Sequence, residues 1–393
     1  MRTNIRSQPD YMPQLDSLRF FAVLGVLVSH YWIPQGLPWL MADMDWGWIG
    51  VHLFFVLSGF LITGILLDCR QMAEASSQPL LFYVRQFYVR RFLRIFPIYY
   101  LVIGIAIVWN FPQARELWGW LVSYTANIYI TVQNSWIGLF SHFWSLAVEE
   151  QFYLFWPWVI LFFPRKWMPI LLSIMILLAP AYRLYGYEMH RFDVSPFDFK
   201  SATLTLANFD SLGLGALLAL AQRSKTRWET VQRYLSRIVL PTGLLVWLTS
   251  LTLYHYRIKP SVFFSMNDLA LSLIFTWLVA ATAIGFKGTL GKLLALSPIK
   301  YMGKISYGIY VYHYFIPFLI GPIFRSLNFQ FDTPGFIHFI VSSVITIAVA
   351  SLSWYVFELP INNLKRYFSY KATNNTVHQP TDELMLGSKE NIL

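Results

Sequence analysis

The sequence predicts an all-α polytopic membrane protein with about ten transmembrane helices and both termini in the cytoplasm. Of its 393 residues, 56% are hydrophobic and only 13% are charged, and the mean hydropathy is +0.49. An average soluble domain carries about 25% charged residues. The apolar residues are gathered into runs close to the ~20 residues that a helix needs to cross a bilayer. The single cysteine, Cys69, excludes an internal disulfide framework and a cysteine metal cluster.

Ten apolar runs mark the predicted helices. They lie at residues 15–33, 47–67, 96–110, 143–163, 167–186, 205–222, 237–254, 268–286, 304–325 and 336–357. No internal repeat is visible, so the sequence does not favour the inverted-repeat architecture of many transporters. We predict one membrane domain over residues 1–366, followed by a polar, disordered cytoplasmic tail over residues 367–393.

The distribution of lysine and arginine supports this topology. With the N-terminus inside, the cytoplasmic segments hold 22 basic residues and the outer segments hold 7. If the aromatic-rich segment 119–132 also crossed, the split would become 13 inside and 16 outside. Cytoplasmic loops are enriched in basic residues, so we interpret this segment as an interfacial or re-entrant part of an outer loop. The same bias explains the net charge of +10 without nucleic acid as a partner.

Two ionisable residues lie within the first predicted helix. Arg19 and His30 are eleven residues apart, which brings a helix back to within about 20° of the same face and separates them by roughly 16 Å. Ionisable residues inside a span commonly face a partner or a cavity. The alternative is that Arg19 reaches the cytoplasmic headgroups and His30 caps the outer end of the helix.

Two adjacent carboxylates, Glu149 and Glu150, lie in the fourth predicted helix at a depth similar to that of His30. One of them can orient His30 or stabilise its protonated form. Neighbouring residues point about 100° apart on a helix, so at most one of the two faces the His30 stripe. The alternative is a structural ion pair with Arg183 or Arg191.

The segment from Arg85 to Pro97 interleaves arginines with aromatic residues at the cytoplasmic surface; its arginines are Arg85, Arg90, Arg91 and Arg94. This pattern is typical of an interfacial helix on anionic lipid. It also suits a phosphorylated cytoplasmic ligand, because guanidinium groups form strong paired bonds with phosphate. Further candidate residues carry hydroxyl or ionisable groups in or beside the spans: Ser145, Asp210, Tyr307, His313 and Glu358.

Taken together, these motifs resemble the membrane acyltransferase 3 family, whose members are polytopic O-acyltransferases that include polysaccharide and exopolysaccharide O-acetyltransferases. Leu15-Asp16-Ser17-Leu18-Arg19 leading to His30 is similar to the opening motif of the family. Five further blocks match in the same order, at residues 50–62, 90–100, 144–153, 306–313 and 357–360. The resemblance covers about residues 15–366. One departure is His52, where many members have aspartate, so no carboxylate role is expected there.

The resemblance implies transfer of an acyl group, most often acetyl, from cytoplasmic acyl-CoA to a hydroxyl of a saccharide or similar acceptor. It makes His30 the essential histidine and Arg19 the essential arginine. It assigns the CoA phosphates to the arginine block, with Tyr99 inside the same block. The implied location is the cytoplasmic (inner) membrane, with acyl-CoA as the donor substrate, no permanently bound cofactor and no metal.

These considerations meet in one hypothesis, in which His30 removes the proton of the acceptor hydroxyl and Glu149 or Glu150 orients it. Ser145 is one candidate donor to the tetrahedral intermediate. The main alternative is a proton-coupled transporter or flippase of a saccharide or lipid, with His30 and the carboxylates as a proton relay. The acceptor, the length of the acyl group and the oligomeric state are left open by the sequence.

Overall fold

The computed structural model describes residues 12–32, 44–76, 78–190, 202–224, 228–258, 260–328 and 334–370. These ranges are mostly helical and contain no strand. The all-α prediction is therefore confirmed for the described part of the chain.

The helices are numbered in chain order. They are α1 (Pro13–Tyr31), α2 (Trp46–Ala75), α3 (Leu80–Val108), α4 (Ala114–Val122), α5 (Ala126–Gln133), α6 (Phe143–Phe162), α7 (Met168–His190), α8 (Phe209–Gln222), α9 (Trp228–Tyr234), α10 (Leu240–His255), α11 (Pro260–Ile284), α12 (Gly288–Leu294), α13 (Ser297–Lys304), α14 (Ser306–Tyr312), α15 (Phe315–Ser326), α16 (Phe336–Ser353) and α17 (Leu359–Asn363). One π-helical turn at Leu235–Val239 joins α9 to α10, and another at Trp354–Glu358 joins α16 to α17.

Several of these helices can cross a bilayer. Six helical stretches are long and apolar enough: Trp46–Ala75, Leu80–Val108, Arg165–Glu188, Trp228–His255, Ser261–Ile284 and Phe336–Tyr367. A seventh span results if α14 and α15, which are bent by 53° relative to each other, form one crossing. Helices also occupy the other predicted positions, as α1, α6 and α8. The chain is a multi-pass helical membrane protein, whereas the count of ten and the cytoplasmic placement of both termini stay predictions.

The segment 119–132 does not form one crossing helix. Its residues belong to α4 and α5, which have nine and eight residues and are separated by a turn in which Tyr124 has φ of 54°. At 1.5 Å per residue, each helix is only about 12–14 Å long. That is less than half of the ~30 Å hydrocarbon core of a bilayer. The described structure therefore agrees with excluding this segment from the spans.

The third span differs from its prediction. α3 is a continuous helix of 29 residues from Leu80 to Val108, so the arginine segment and the span are one helix rather than an interfacial helix followed by a span. Pro97 lies inside α3 without ending it. A proline removes one backbone hydrogen bond, and packing by neighbouring helices lets a membrane helix tolerate that loss. As a result, the last arginine, Arg94, is half-buried and lies close to Arg19 and Asp16 of α1.

Close backbone contacts join α1, α2 and α8. Gly50 of α2 packs against the carbonyl of Ala22 in α1, and Gly215 of α8 packs against the carbonyl of Val56 in α2. A Cβ atom at either glycine would overlap the carbonyl oxygen. Small residues permit this kind of approach between membrane helices. These contacts, which we call the glycine seam, fix α1 against the centre of the bundle.

The packed part of the chain extends past the predicted domain boundary at residue 366. The Arg90 guanidinium donates hydrogen bonds to the carbonyls of Lys365 (3.0 Å) and Phe368 (3.2 Å). The same guanidinium lies 5.1 Å from the ring centroid of Tyr370. The segment directly after α17 is thus held against α3, and residues 371–393 of the predicted tail lie outside the described residues.

Candidate active site

One end of the bundle concentrates positive charge around α1 and α3. Arg19 of α1 bonds Asp16, one turn earlier on the same helix. Arg94 of α3 interacts electrostatically with both of these residues and also with Arg91 and Glu358. Arg19 is 20% exposed, and Arg94 of the predicted arginine segment is among its neighbours.

The four arginines of that segment divide into two groups. Arg91 and Arg94 lie near Arg19, and no acceptor within the described residues forms a hydrogen bond with either guanidinium. Arg90 is instead bonded to the carbonyls that follow α17, and Arg85 is exposed. The geometry therefore favours Arg91 and Arg94, rather than all four, as ligands of an anion.

Two lysines that the sequence analysis did not single out belong to the same region. Lys365 interacts electrostatically with three arginines of α3, and Lys304 interacts with Asp16 and Arg94. Glu358 lies on the same side, is 5% exposed, and accepts a hydrogen bond from Ser353 (3.1 Å). We call this group the cation cluster; it contains Arg19, Arg91, Arg94, Lys304 and Lys365, with Asp16 and Glu358 as its carboxylates. Cations outnumber these two carboxylates five to two, and they still outnumber the carboxylates five to four when the neighbouring Glu149 and Glu150 are counted. The cluster therefore carries the surplus of positive charge that suits a polyanionic ligand.

The two glutamates lie next to the cation cluster rather than next to His30. Ser58 donates a hydrogen bond of 2.5 Å to Glu149, and Tyr153 donates one of 2.9 Å to Ser58. Glu149 and Glu150 both interact electrostatically with Arg91. The prediction that one of them orients His30 is not supported, because the contacts of Glu149 are with Ser58 and the arginines.

A line of polar side chains continues from Glu149 along one face of α6. Ser145 lies four residues before Glu149 and therefore on the same face. Its hydroxyl is 2.5 Å from the Tyr310 hydroxyl, which donates to the carbonyl of His142 (2.9 Å). We call this series the polar line; it runs through Arg91, Glu149, Ser145, Tyr310 and His142.

The polar line ends at three histidines. His30 Nδ1 is 3.2 Å from His313 Nε2, and the two ring centroids are 5.0 Å apart. The ring of His142 lies edge-on to His313 at 4.8 Å and is stacked on Tyr314 at 4.7 Å. His30 also packs against Tyr314 at 4.7 Å. The hydrogen-bonding partner of His30 is therefore the imidazole of His313. His142 lies beside this pair, although the sequence did not single it out.

A proline explains why His313 lies at a break between two helices. Pro317, the third residue of α15, has no N–H to bond the carbonyl of His313 four residues earlier. That carbonyl accepts a hydrogen bond from the hydroxyl of Tyr31 in α1 instead. The Tyr31 hydroxyl is also 3.0 Å from Thr346 of α16. Pro317 thus ends α14 just where His313 has to meet His30.

Two predicted tyrosines act as packing anchors. The Tyr99 hydroxyl donates to the carbonyl of Leu121 (2.8 Å), and its ring is stacked on Tyr124 at 4.2 Å. The Tyr307 hydroxyl donates to the carbonyl of Ile95 (3.0 Å). Both hydroxyls donate their hydrogen bonds to backbone carbonyls, so the geometry does not favour a contact of Tyr99 with acyl-CoA.

Asp210 belongs to a separate buried network. Arg183 donates to Asp210 (2.6 Å) and lies 3.6 Å from Asp268. Asp268 accepts from Trp48 (2.8 Å) and lies 3.4 Å from Nε2 of His52. We call this group the Arg183 network. Arg183 is thereby paired with aspartates and not with Glu149 or Glu150, and Arg191, the other predicted partner, lies outside the described residues.

The described residues contain no group of three or more histidine, cysteine, aspartate or glutamate side chains placed to hold a metal ion. The three histidines face one another through ring edges and faces instead of converging on one point.

Comparisons with known proteins bear on what this site does. The family model of the acyltransferase domain matches residues 12–355. The chain is 29% identical to the peptidoglycan O-acetyltransferase OatA of Listeria monocytogenes over 387 residues, covering 94% of this chain and 59% of the relative. It is 26% identical to the O-acetyltransferase OatA of Staphylococcus aureus over 369 residues, covering 90% of this chain and 57% of the relative. The chain thus spans a little over half the length of these relatives, and no solved structure matches it.

Proposed function

The chain belongs to this acyltransferase family, and on that premise we propose that it transfers an acetyl group from cytoplasmic acetyl-CoA to a saccharide hydroxyl, with His30 as general base. One observation carries this proposal. The polar side chains of the polar line lie between the cation cluster, which suits a polyanion, and His30, which suits proton transfer. The relatives are named as O-acetyltransferases, one of them of peptidoglycan, so we propose a cell-wall type saccharide as the acceptor.

The cation cluster is the proposed site for the phosphates of the donor. Arg91 and Arg94 have guanidinium groups without a hydrogen-bond acceptor among the described residues, and Arg19 adds a third fork close by. Planar guanidinium groups bind phosphate through two parallel hydrogen bonds. With the phosphates there, the extended arm of the donor follows the polar line and brings its thioester towards His30.

The chemistry at His30 requires one proton acceptor. A ring nitrogen of His30 takes the proton of the saccharide hydroxyl while its oxygen attacks the thioester carbonyl carbon. The tetrahedral intermediate collapses with cleavage of the C–S bond, and the CoA thiolate leaves and recovers the proton. A neutral imidazole has an unperturbed pKa near 6.5, which suits this role at neutral pH.

The donor and the acceptor are proposed to enter from opposite sides of the membrane. Arg19 is near the start of α1 and His30 near its end, about 16 Å further along the axis. If the N-terminus is cytoplasmic, as the distribution of basic residues predicts, the cation cluster faces the cytoplasm and His30 lies towards the outer side.

The experiment is an acetyl-transfer assay with the purified chain in nanodiscs. The protein receives acetyl-CoA labelled in the acetyl group together with a peptidoglycan-type oligosaccharide, and label on the saccharide is measured. We expect label on the saccharide with the natural chain and only background label with His30→Gln. The transporter alternative is checked with the chain in sealed vesicles. Movement of the saccharide across the vesicle membrane without acetyl-CoA, together with no label on the saccharide in the transfer assay, would favour that alternative and overturn the proposal.

A further inference from the structure

We infer that His313 is a positioning residue that holds His30 in the tautomer with Nδ1 protonated, so that Nε2 of His30 is the atom that accepts the substrate proton. This inference rests on the proposed function for the meaning of that atom, but the tautomer itself can be measured independently of activity. It assigns to one imidazole the task that a carboxylate performs in a Ser–His–Asp triad.

The first step of the argument is the hydrogen bond between His313 Nδ1 and the carbonyl of Tyr310. A carbonyl oxygen can only accept, so Nδ1 of His313 has to carry the hydrogen. The Tyr310 carbonyl is available for this bond because it lies in the last turn of α14, where carbonyls lack partners within the helix. The helix break at Pro317 therefore determines the tautomer of His313.

The second step passes the assignment to His30. A neutral imidazole has one N–H and one acceptor nitrogen. With its hydrogen on Nδ1, His313 offers Nε2 as an acceptor, and Nδ1 of His30 lies 3.2 Å from that atom. The hydrogen of His30 is then on Nδ1, and Nε2 of His30 keeps its lone pair for the substrate.

The opposite arrangement conflicts with the surroundings of the pair. The carbonyl of Val26, one turn earlier in α1, also lies near the His30 ring, and by itself it does not decide which nitrogen carries the hydrogen. If Nε2 of His30 carried it, His313 would have to donate from Nε2 and would turn a lone pair on Nδ1 towards the Tyr310 carbonyl. Two acceptor atoms that face each other in a buried position have lost their hydrogen bonds to water and do not gain one with each other, which is unfavourable.

The position of His313 is fixed from several sides. It is completely buried, its carbonyl is bonded by Tyr31, and the ring of His142 lies edge-on to it. A side chain held in this way can define the orientation of its neighbour, as supporting residues of a functional site generally do. His30 is the less buried of the two imidazoles, which agrees with its being the one that meets substrate.

The test compares His313→Leu with His313→Gln in the acetyl-transfer assay. Leucine removes the acceptor, and we expect kcat to fall by about 10²–10⁴-fold, since loss of the correct tautomer costs about 10⁴-fold in serine proteases. The KM for acetyl-CoA should change by less than about threefold, because the donor phosphates bind at the cation cluster. Glutamine offers its Oε1 in place of Nε2 and should restore kcat to within about tenfold of the natural value.

His338→Leu is the matched control. His338 is also buried and stacks on Tyr31 at 5.6 Å, but its ring contact is with Tyr31 rather than with His30. We expect this variant to keep kcat within about threefold. Equal loss of kcat in the leucine and glutamine variants, or nearly natural kcat in His313→Leu, would overturn the inference.

A spectroscopic measurement keeps the inference testable if the variants fold poorly. In the natural chain labelled with ¹⁵N-histidine, the His30 signals are identified by their loss in His30→Gln. They should show a protonated Nδ1 and an unprotonated Nε2. A protonated Nε2 would overturn the inference even if the chain transfers acetyl, whereas absence of transfer by the natural chain would refute the proposed function and leave the tautomer result standing.

Discussion

Two polar regions of this bundle differ in how deeply their charged groups are buried and in how completely these groups are paired. In the Arg183 network, the guanidinium of Arg183 lies between Asp210 and Asp268, at 2.6 and 3.6 Å. In the cation cluster, five cations are accompanied by four carboxylates when the neighbouring Glu149 and Glu150 are counted. At the other end of the polar line, His30 has one imidazole as its hydrogen-bonding side-chain partner among the described residues.

This difference distinguishes residues that stabilise the fold from residues that form the candidate active site. Burying a charge is costly unless it is paired and hydrogen-bonded, so a closed network such as that of Arg183 is explained by the folded chain alone. The cations of the cluster are only half-buried, so their surplus charge can be met by a partner that the chain does not provide. By this criterion we propose the cation cluster and the polar line as the site, whereas the Arg183 network joins α7, α8 and α11.

The largest expected effect is that of His30→Gln on acetyl transfer. Glutamine can accept a hydrogen bond but cannot take up a proton at neutral pH, and losing a general base typically costs about 10²–10⁴-fold in rate. Acetyl-CoA should bind with nearly unchanged affinity, because its phosphates are held about 16 Å away. Transfer rates and binding isotherms of the purified variant check both parts, and nearly natural transfer would remove His30 as the base.

The next largest effect is on stability, in Arg183→Met. The change leaves Asp210 and Asp268 as buried carboxylates without their cation, which typically costs about 3–5 kcal/mol in the free energy of unfolding. The measurement is reversible unfolding in mixed micelles. The matched control is Arg165→Met, since the pair of Arg165 with Glu74 is half exposed and should contribute at most about 1 kcal/mol. Equal losses in the two variants would contradict the contrast drawn here.

A smaller effect is expected for the donor in Arg91→Ala and Arg94→Ala. Each loses a charge-assisted bond to phosphate worth about 1.5–3 kcal/mol, which weakens acetyl-CoA binding by about 10–100-fold. The loss should shrink at high salt, because the contacts are ionic. Arg85→Ala, on the exposed face of the same helix, should bind like the natural chain. If Arg85→Ala weakens binding as much as the other two do, the donor lies along the surface of α3 and not in the interior.

Much of the fold follows from the sequence, because long apolar runs determine where membrane helices form. The beginning of α3 was not predictable in this way, since arginines at its start resemble a surface helix and Pro97 suggests a boundary. Only packing against neighbouring helices shows that Pro97 is tolerated. The division of segment 119–132 into two short helices is likewise set by local turns such as that at Tyr124.

For the site, the spacing of residues along one helix predicted which residues share a face. Contacts between different helices could not be predicted from the sequence. The eleven-residue interval placed Arg19 and His30 on one face, whereas the contact of His30 with His313 joins residues 283 positions apart. Lys365 meets the arginines of α3 across a similar separation. The sequence did name His313 as a candidate, but not its place at a helix break. The signal for that place was local: a histidine four residues before a proline, within an apolar run, lies where a helix breaks and a carbonyl becomes free.

The glycine seam limits which parts of the molecule can move during a catalytic cycle. Gly50 packs against Ala22 and Gly215 packs against Val56, so neither α1 nor α8 can slide along α2 without a steric clash. These three helices therefore form one rigid unit. His313 lies at the bend between α14 and α15, and its carbonyl is bonded to α1 through the Tyr31 hydroxyl. Since α1 is itself held by the seam, the contact between His30 and His313 joins two parts of the bundle that have little freedom to separate.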